Sequence, residues 1–129
     1  MEKDDKKLYD MKSTKIGNIL YVEASGKRAF DTAIEITRRA LDLCKEQGIH
    51  RAVADIRKLD GKVRTTYIFT IGSEVFAKIQ YSSVIYKTAV IDREENAEAD
   101  RFFEDVTYNR GYQLKFFDSI IDALEWLKE

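Results

Sequence analysis

Residues 30–56 read FDTAIEITRRALDLCKEQGIHRAVADI. Phe30, Ala33, Ile34, Thr37, Leu41 and Cys44 recur at spacings of three and four, the period that gathers side chains on one face of a helix. Gly48 stands where a left-handed C-terminal cap belongs, and Ile49 would then lie against Cys44, the apolar contact that accompanies such caps. Residues 52–56 (AVADI) follow as a short buried strand ending near Asp55. A helix, a glycine cap and a buried strand in immediate succession suggest a β/α repeat, so the flanks decide the fold class.

Upstream, residues 18–24 (NILYVEA) are rich in β-formers, and residues 8–12 make a shorter strand. The Ile16-Gly17-Asn18 turn between them points to an antiparallel hairpin. Downstream, a polar loop at 57–64 precedes a second helix whose stripe reads Ile68, Ile71, Val75, Ile79. Gly72 lies inside that helix at a cost of about 1 kcal/mol against alanine, which suits a close packing contact. Residues 87–91 (KTAVI) form the next strand, closed by Asp92. An acidic helix follows with Ala99, Phe102, Phe103 and Val106 inward and Gly111 at its end. The last strand is 113–117, and Ser119 to Asp122 has the spacing of a helix-start capping box. Ile120, Ala123, Leu124 and Leu127 stripe the closing helix. The order β-β-α-β-α-β-α-β-α predicts an α/β fold, a mostly parallel five-stranded sheet with an N-terminal antiparallel hairpin and four helices.

The length of 129 residues is one domain's worth, with residues 1–7 (MEKDDKK) read as a charged tail. Lysines and arginines (22) almost balance aspartates and glutamates (23), leaving a net charge of −1 and no overall field for attracting nucleic acid. A single cysteine, Cys44, excludes an internal disulfide and argues against a thiolate zinc site. No apolar run is long enough for a leader or a membrane span, so the expected compartment is the cytoplasm.

The ordering of these elements resembles the STAS superfamily, in particular its standalone SpoIIAA-like proteins. The resemblance runs from about residue 18 to 129 and rests on AVADIRKLDG, TAVID, YQLKFF and the closing SIIDALEWL. It implies a sheet with strands in sequential order, a fold shared with SEC14-type lipid-transfer domains. In the antagonist members of that superfamily, a serine at the start of the second helix, within an Asp-Ser-Ser-Gly stretch, is phosphorylated by a partner kinase. The corresponding position here falls at Arg64-Thr65-Thr66, where that motif is absent, so Thr65 and Thr66 are the candidate phospho-acceptors beside their alternative use as a helix cap.

Three further groups are candidate sites. Open α/β sheets bind ligands at the carboxyl ends of their strands, where Asp55 and Asp92 each close a strand and Asp60 sits nearby. These carboxylates could gather a divalent cation or simply hold loop hydrogen bonds, and no metal site is assigned. The segment with Arg57, Lys58, Asp60, Lys62 and Arg64 is net basic and faces an acidic run from 92 to 105, a pairing that could dock a protein partner or a second copy. Tyr67, Phe69 and Phe76 could line an apolar pocket or a dimer seam, or pack as ordinary core. Lone His50 follows a helix end, where terminal carbonyls would engage it, and no phosphate cradle or dinucleotide fingerprint accompanies it. No cofactor is implied. The expected function is a non-catalytic regulatory or protein-interaction module. The alternative is a small carrier for a lipid or other anionic amphiphile.

Overall fold

The computed structural model describes residues 9–62, 65–78 and 83–129. The N-terminal hairpin joins β1 (Tyr9–Ile16) to β2 (Ile19–Lys27), paired antiparallel from Tyr9 opposite Gly26 to Ile16 opposite Ile19. Its tight connection puts Gly17 at φ 59, a left-handed conformation that glycine adopts without strain. β1 is four residues longer at its carboxyl end than the apolar pattern suggests, because Ser13, Thr14, Lys15 and Ile16 continue the ladder with their side chains in solvent.

β3 (Arg51–Asp60) runs parallel to β2, and β4 (Lys87–Ile91) and β5 (Leu114–Phe117) continue the sheet in the order β1-β2-β3-β4-β5. The expected architecture is therefore present, with one correction. Residues 57–60, read as loop, belong to β3, where Leu59 is buried and Lys58 pairs with Ser25. The pairing shifts between Glu23 and Ser25, so β3 carries a bulge at Ile56 and Arg57.

Three helices cover one face. These are α1 (Phe30–Gln47), α3 (Ala97–Asn109), and between them α2, which runs Thr65–Thr70, passes through a π-helical turn at Ile71–Val75 and ends as Phe76–Lys78. Leu41, Cys44, Ile71 and Phe76 pack there against Leu20, Val22, Ala52 and Val90. α4 (Ile120–Lys128) covers the opposite face, where Ala123 and Leu127 meet Val53, Ala89 and Ile91. Ser119 caps α4 by accepting the Asp122 amide, as its spacing predicts. At the other end Lys87 and Arg51 donate to the Trp126 and Leu127 carbonyls, where the helix dipole favours cations.

α1 ends as expected, with Gly48 left-handed at φ 66 and its amide bonded to the Cys44 carbonyl. Its most buried positions are Thr32, Ile36, Leu41 and Cys44, a face rotated slightly from the predicted stripe. In α2 the π turn inserts one residue into the period, so Phe76 is buried in place of Val75, and Ile79 lies outside the described residues. A Cβ on Gly72 would meet Phe103 Cε1 and Val106 Cγ1 at 2.9 Å each, which is why this helix position carries no side chain. In α3, Val106 is buried and Phe102 and Phe103 half-buried, but Ala99, expected inward, is exposed.

Candidate functional site

The carboxyl edge of the parallel sheet holds two buried carboxylates that look in opposite directions. Alternation along β3 places Asp55 on the same face as Val53, toward α4, where Tyr21 donates its hydroxyl to Asp55 Oδ2 at 3.2 Å. Arg57 closes the group, donating its amide to Oδ1 at 3.1 Å and its guanidinium to Oδ1 and Oδ2 at 3.0 and 2.7 Å. Burial alone would raise the Asp55 pKa, but these donors overcome it and hold the carboxyl below its usual range. The phenol of Tyr21 is pushed up to about 12 by burial and by the neighbouring Asp55 charge. The side-chain-to-amide bond from Asp55 to Arg57 also accounts for the local bulge in β3.

Asp92 belongs to the other face, beneath the three helices. Arg28, between β2 and α1, grips it with Nη2 to Oδ1 at 2.8 Å and Nη1 to Oδ2 at 3.1 Å. The side chains are 12% and 1% exposed, so this is a buried ion pair. Arg28 Nη2 also donates to the Ile56 and Leu59 carbonyls at 3.1 and 3.4 Å, tying the end of β3 to the start of α1. Asn96 Nδ2 and the Arg93 amide complete the shell around Asp92 Oδ1, at 3.1 and 2.8 Å. Asp100, one turn into α3, hydrogen-bonds Asp92. Burial, this hydrogen bond and the Asp92 charge push the Asp100 carboxyl far above its usual range, against the opposing pull of Arg28. Asp100 is therefore the carboxyl of this group whose charged form the site disfavours.

Asp55 and Asp92 thus do not converge, and among the described residues no group of three or more potential ligands is placed to hold a metal ion. Asp60 is separate again, exposed and paired with Arg93 at 3.4 Å. The basic segment is largely neutralised within the chain: Arg57 by Asp55, and Lys58 loosely by Glu23 at 3.4 Å. Lys62 is exposed and has no ion-pair partner among the described residues. Arg64 and the side chains of Thr65 and Thr66 lie outside the described residues.

The three aromatic candidates separate. Phe76 is 3% exposed, packs against Phe103 and Tyr112, and lines the cavity between the sheet and the three helices. Tyr67 and Phe69 are 43% and 45% exposed on the first turns of α2, with the Tyr67 ring 4.9 Å from that of Phe30. His50 does not engage the end of α1. It stacks on Tyr86 at 4.6 Å, and its Nδ1 donates to the Val84 carbonyl at 2.9 Å. Cys44 is buried and its thiol is pushed up to about 11, the opposite of a reactive nucleophile.

A cavity of about 360 Å³ opens between the sheet and the three helices. Its walls are mostly apolar, including Ile36, Ile68, Val90 and Phe116, and Arg28, Lys62, Glu95, Asn96, Glu98 and Asp100 stand among its lining. Sequence reasoning missed Arg28 and Asp100, and of the aromatics it offered for a pocket Phe76 alone lines the cavity. Arg28 had a signal, an arginine just before a helix start, where the dipole disfavours cations, and so did the cavity, in a run of alanines and threonines along the inward face of α1.

No protein-family model matches the chain, and no curated protein is significantly similar to it in sequence. Solved structures do match. One is a protein of the DUF3478 family with a SpoIIAA-like fold from Shewanella loihica PV-4, 22% identical, aligned over 98% of this chain and 99% of that one with a TM-score of 0.58. Another is an anti-sigma factor antagonist from Mycobacterium paratuberculosis, 14% identical, aligned over 94% and 95% with a TM-score of 0.58. The fold is SpoIIAA-like. At these identities the likeness shows the SpoIIAA-like fold alone, and the resemblance expected from the order of elements is upheld at that level. No helix among the described residues is long and apolar enough to cross a membrane.

Proposed function

We propose that this chain is a non-catalytic, STAS-type interaction module whose contact surface is the carboxyl edge around the start of α2. The observation that carries the reading is that Tyr67 and Phe69 on α2 are each more than two-fifths exposed, and that Lys62, shortly before that helix, faces solvent with no ion-pair partner among the described residues. Aromatic side chains with a basic border suit a protein partner with an apolar centre and an acidic rim. The titratable groups agree with a binding role. Asp55 is fully hydrogen-bonded and the Cys44 thiol is pushed up by burial, so neither is poised as a nucleophile or base. The anti-sigma factor antagonist among the structural neighbours is a protein named for such a regulatory contact.

A photo-crosslinking amino acid placed at position 69, in the cells that make the protein, tests this. The control is the same probe at Tyr108, exposed at the far end of α3. The expected result is one discrete protein adduct from position 69, absent from 108 and lost when Lys58→Glu and Lys62→Glu are added. Adducts of equal intensity from both positions, or none from position 69, would refute the surface.

A second reading, a carrier for a lipid or other amphiphile, is supported by the cavity, whose size falls in the range of small-molecule sites.

A further inference from the structure

The cavity exists because both of its walls are built from small side chains. α1 contributes Ala33 and Ala40, and the sheet opposite contributes Ala52, Ala54 and Thr88. Leucines at such positions would fill the space, as in an ordinary core packed to crystal density. Its volume is about 360 Å³. That is a little over twice the ~150 Å³ apolar cavity known to accept benzene, so it has room for a chain of roughly ten carbons.

The chemistry among the lining groups argues about the head. Arg28 is already paired two-fold with Asp92, so that ion pair carries no net charge, and burial beside it pushes the Asp100 carboxyl well above its usual range. Lys62, Glu95 and Glu98 are exposed, where solvent screens them. A charged head of either sign would lose its water beside that pair, and the remaining charges of the lining, Lys62 included, are screened by solvent. A neutral head would find polar partners in the Asp100 carboxyl and the Asn96 amide.

We infer that the cavity binds one medium-chain amphiphile with an uncharged, hydrogen-bonding head, inserted tail-first between α1 and the sheet. This rests on the carrier reading and replaces its anionic head with a neutral one. The site would then regulate or accompany the α2 surface, since Ile68 lines the cavity between exposed Tyr67 and Phe69.

Calorimetric titration of the full chain with 1-decanol, decanoate and decyltrimethylammonium, below their aggregation thresholds at pH 7, tests it. The expected result is one decanol bound per chain, at least ~10-fold tighter than either charged analogue, a gap of ~1.4 kcal/mol. Two filling variants on opposite walls, Ala33→Leu and Ala54→Leu, should each abolish binding while keeping a cooperative thermal transition. Decanoate or decyltrimethylammonium binding as tightly as decanol would overturn the neutral head and leave the carrier reading standing. Failure of all three probes to bind, or binding unchanged in a folded filling variant, would overturn both.

Discussion

Replacing Arg28 with methionine separates a buried clamp from a decorative surface pair. The substitution keeps most of the aliphatic stem but removes both contacts to Asp92 and both carbonyl contacts to β3. Exposed ion pairs contribute about 0–1 kcal/mol. Breaking a buried one typically costs about 3–5 kcal/mol, because the remaining charge is stranded. Here the side chains are 12% and 1% exposed, which places the pair in the second class. Asp92 keeps its bonds from the Arg93 amide and Asn96 Nδ2, so the lower end, about 3 kcal/mol, is expected. Urea unfolding of Arg28→Met at pH 7 should show that loss as a lower midpoint at unchanged slope. The double variant Arg28→Met/Asp92→Asn should recover at least half of it, since no buried charge is left unpaired. A loss below about 1 kcal/mol, or a double variant no better than the single one, would refute this picture of the clamp.

Other outcomes follow from the same contacts. Gly72→Ala should destabilise by about 1–2 kcal/mol in thermal unfolding, because crowding against Phe103 and Val106 exceeds the roughly 1 kcal/mol helix-propensity gain. Asp100 binds its proton more tightly folded than unfolded, so the stability it contributes is complete below the ordinary carboxylate range and is lost as pH rises through the folded value. Denaturation midpoints should therefore fall with pH in that window, by at most about 1.4 kcal/mol per unit, and Asp100→Asn should flatten the slope. Cys44 should resist iodoacetamide at pH 8 in the folded protein and react on unfolding, given a thiol pushed up to about 11. If cells phosphorylate the chain at the start of α2, Thr65→Ala/Thr66→Ala should remove the mass shift; its persistence would place the modification elsewhere.

Much of the fold was legible because the local signals agree. The Gly48 cap, the KTAVI strand and the Ser119 cap each fix an element boundary by backbone chemistry that needs no distant partner. What failed depended on pairing or on insertions. β3 runs on to Asp60 because Leu59 is buried against its neighbours, which the polar letters around it conceal. Phe76 takes the inward place of Val75 because a π turn adds a residue that no 3.6-residue period can register. The candidate site suffered more. Asp55 and Asp92 each close a run of apolar strand residues, yet strand alternation and register turn them to opposite faces with separate arginines. Asp100 was hidden in an acidic run, and only its approach to Asp92 distinguishes it from the solvated acids beside it.

The edge bearing Tyr67 and Phe69 is proposed to engage a protein partner. Native mass spectrometry of the chain isolated gently from its own cells tests it directly, comparing the natural sequence with Phe69→Ser/Lys58→Glu/Lys62→Glu. The interaction-module account predicts a complex of one chain with a defined second polypeptide for the natural sequence and the free chain for the variant. A free chain in both, or a complex that survives the three substitutions, would contradict it.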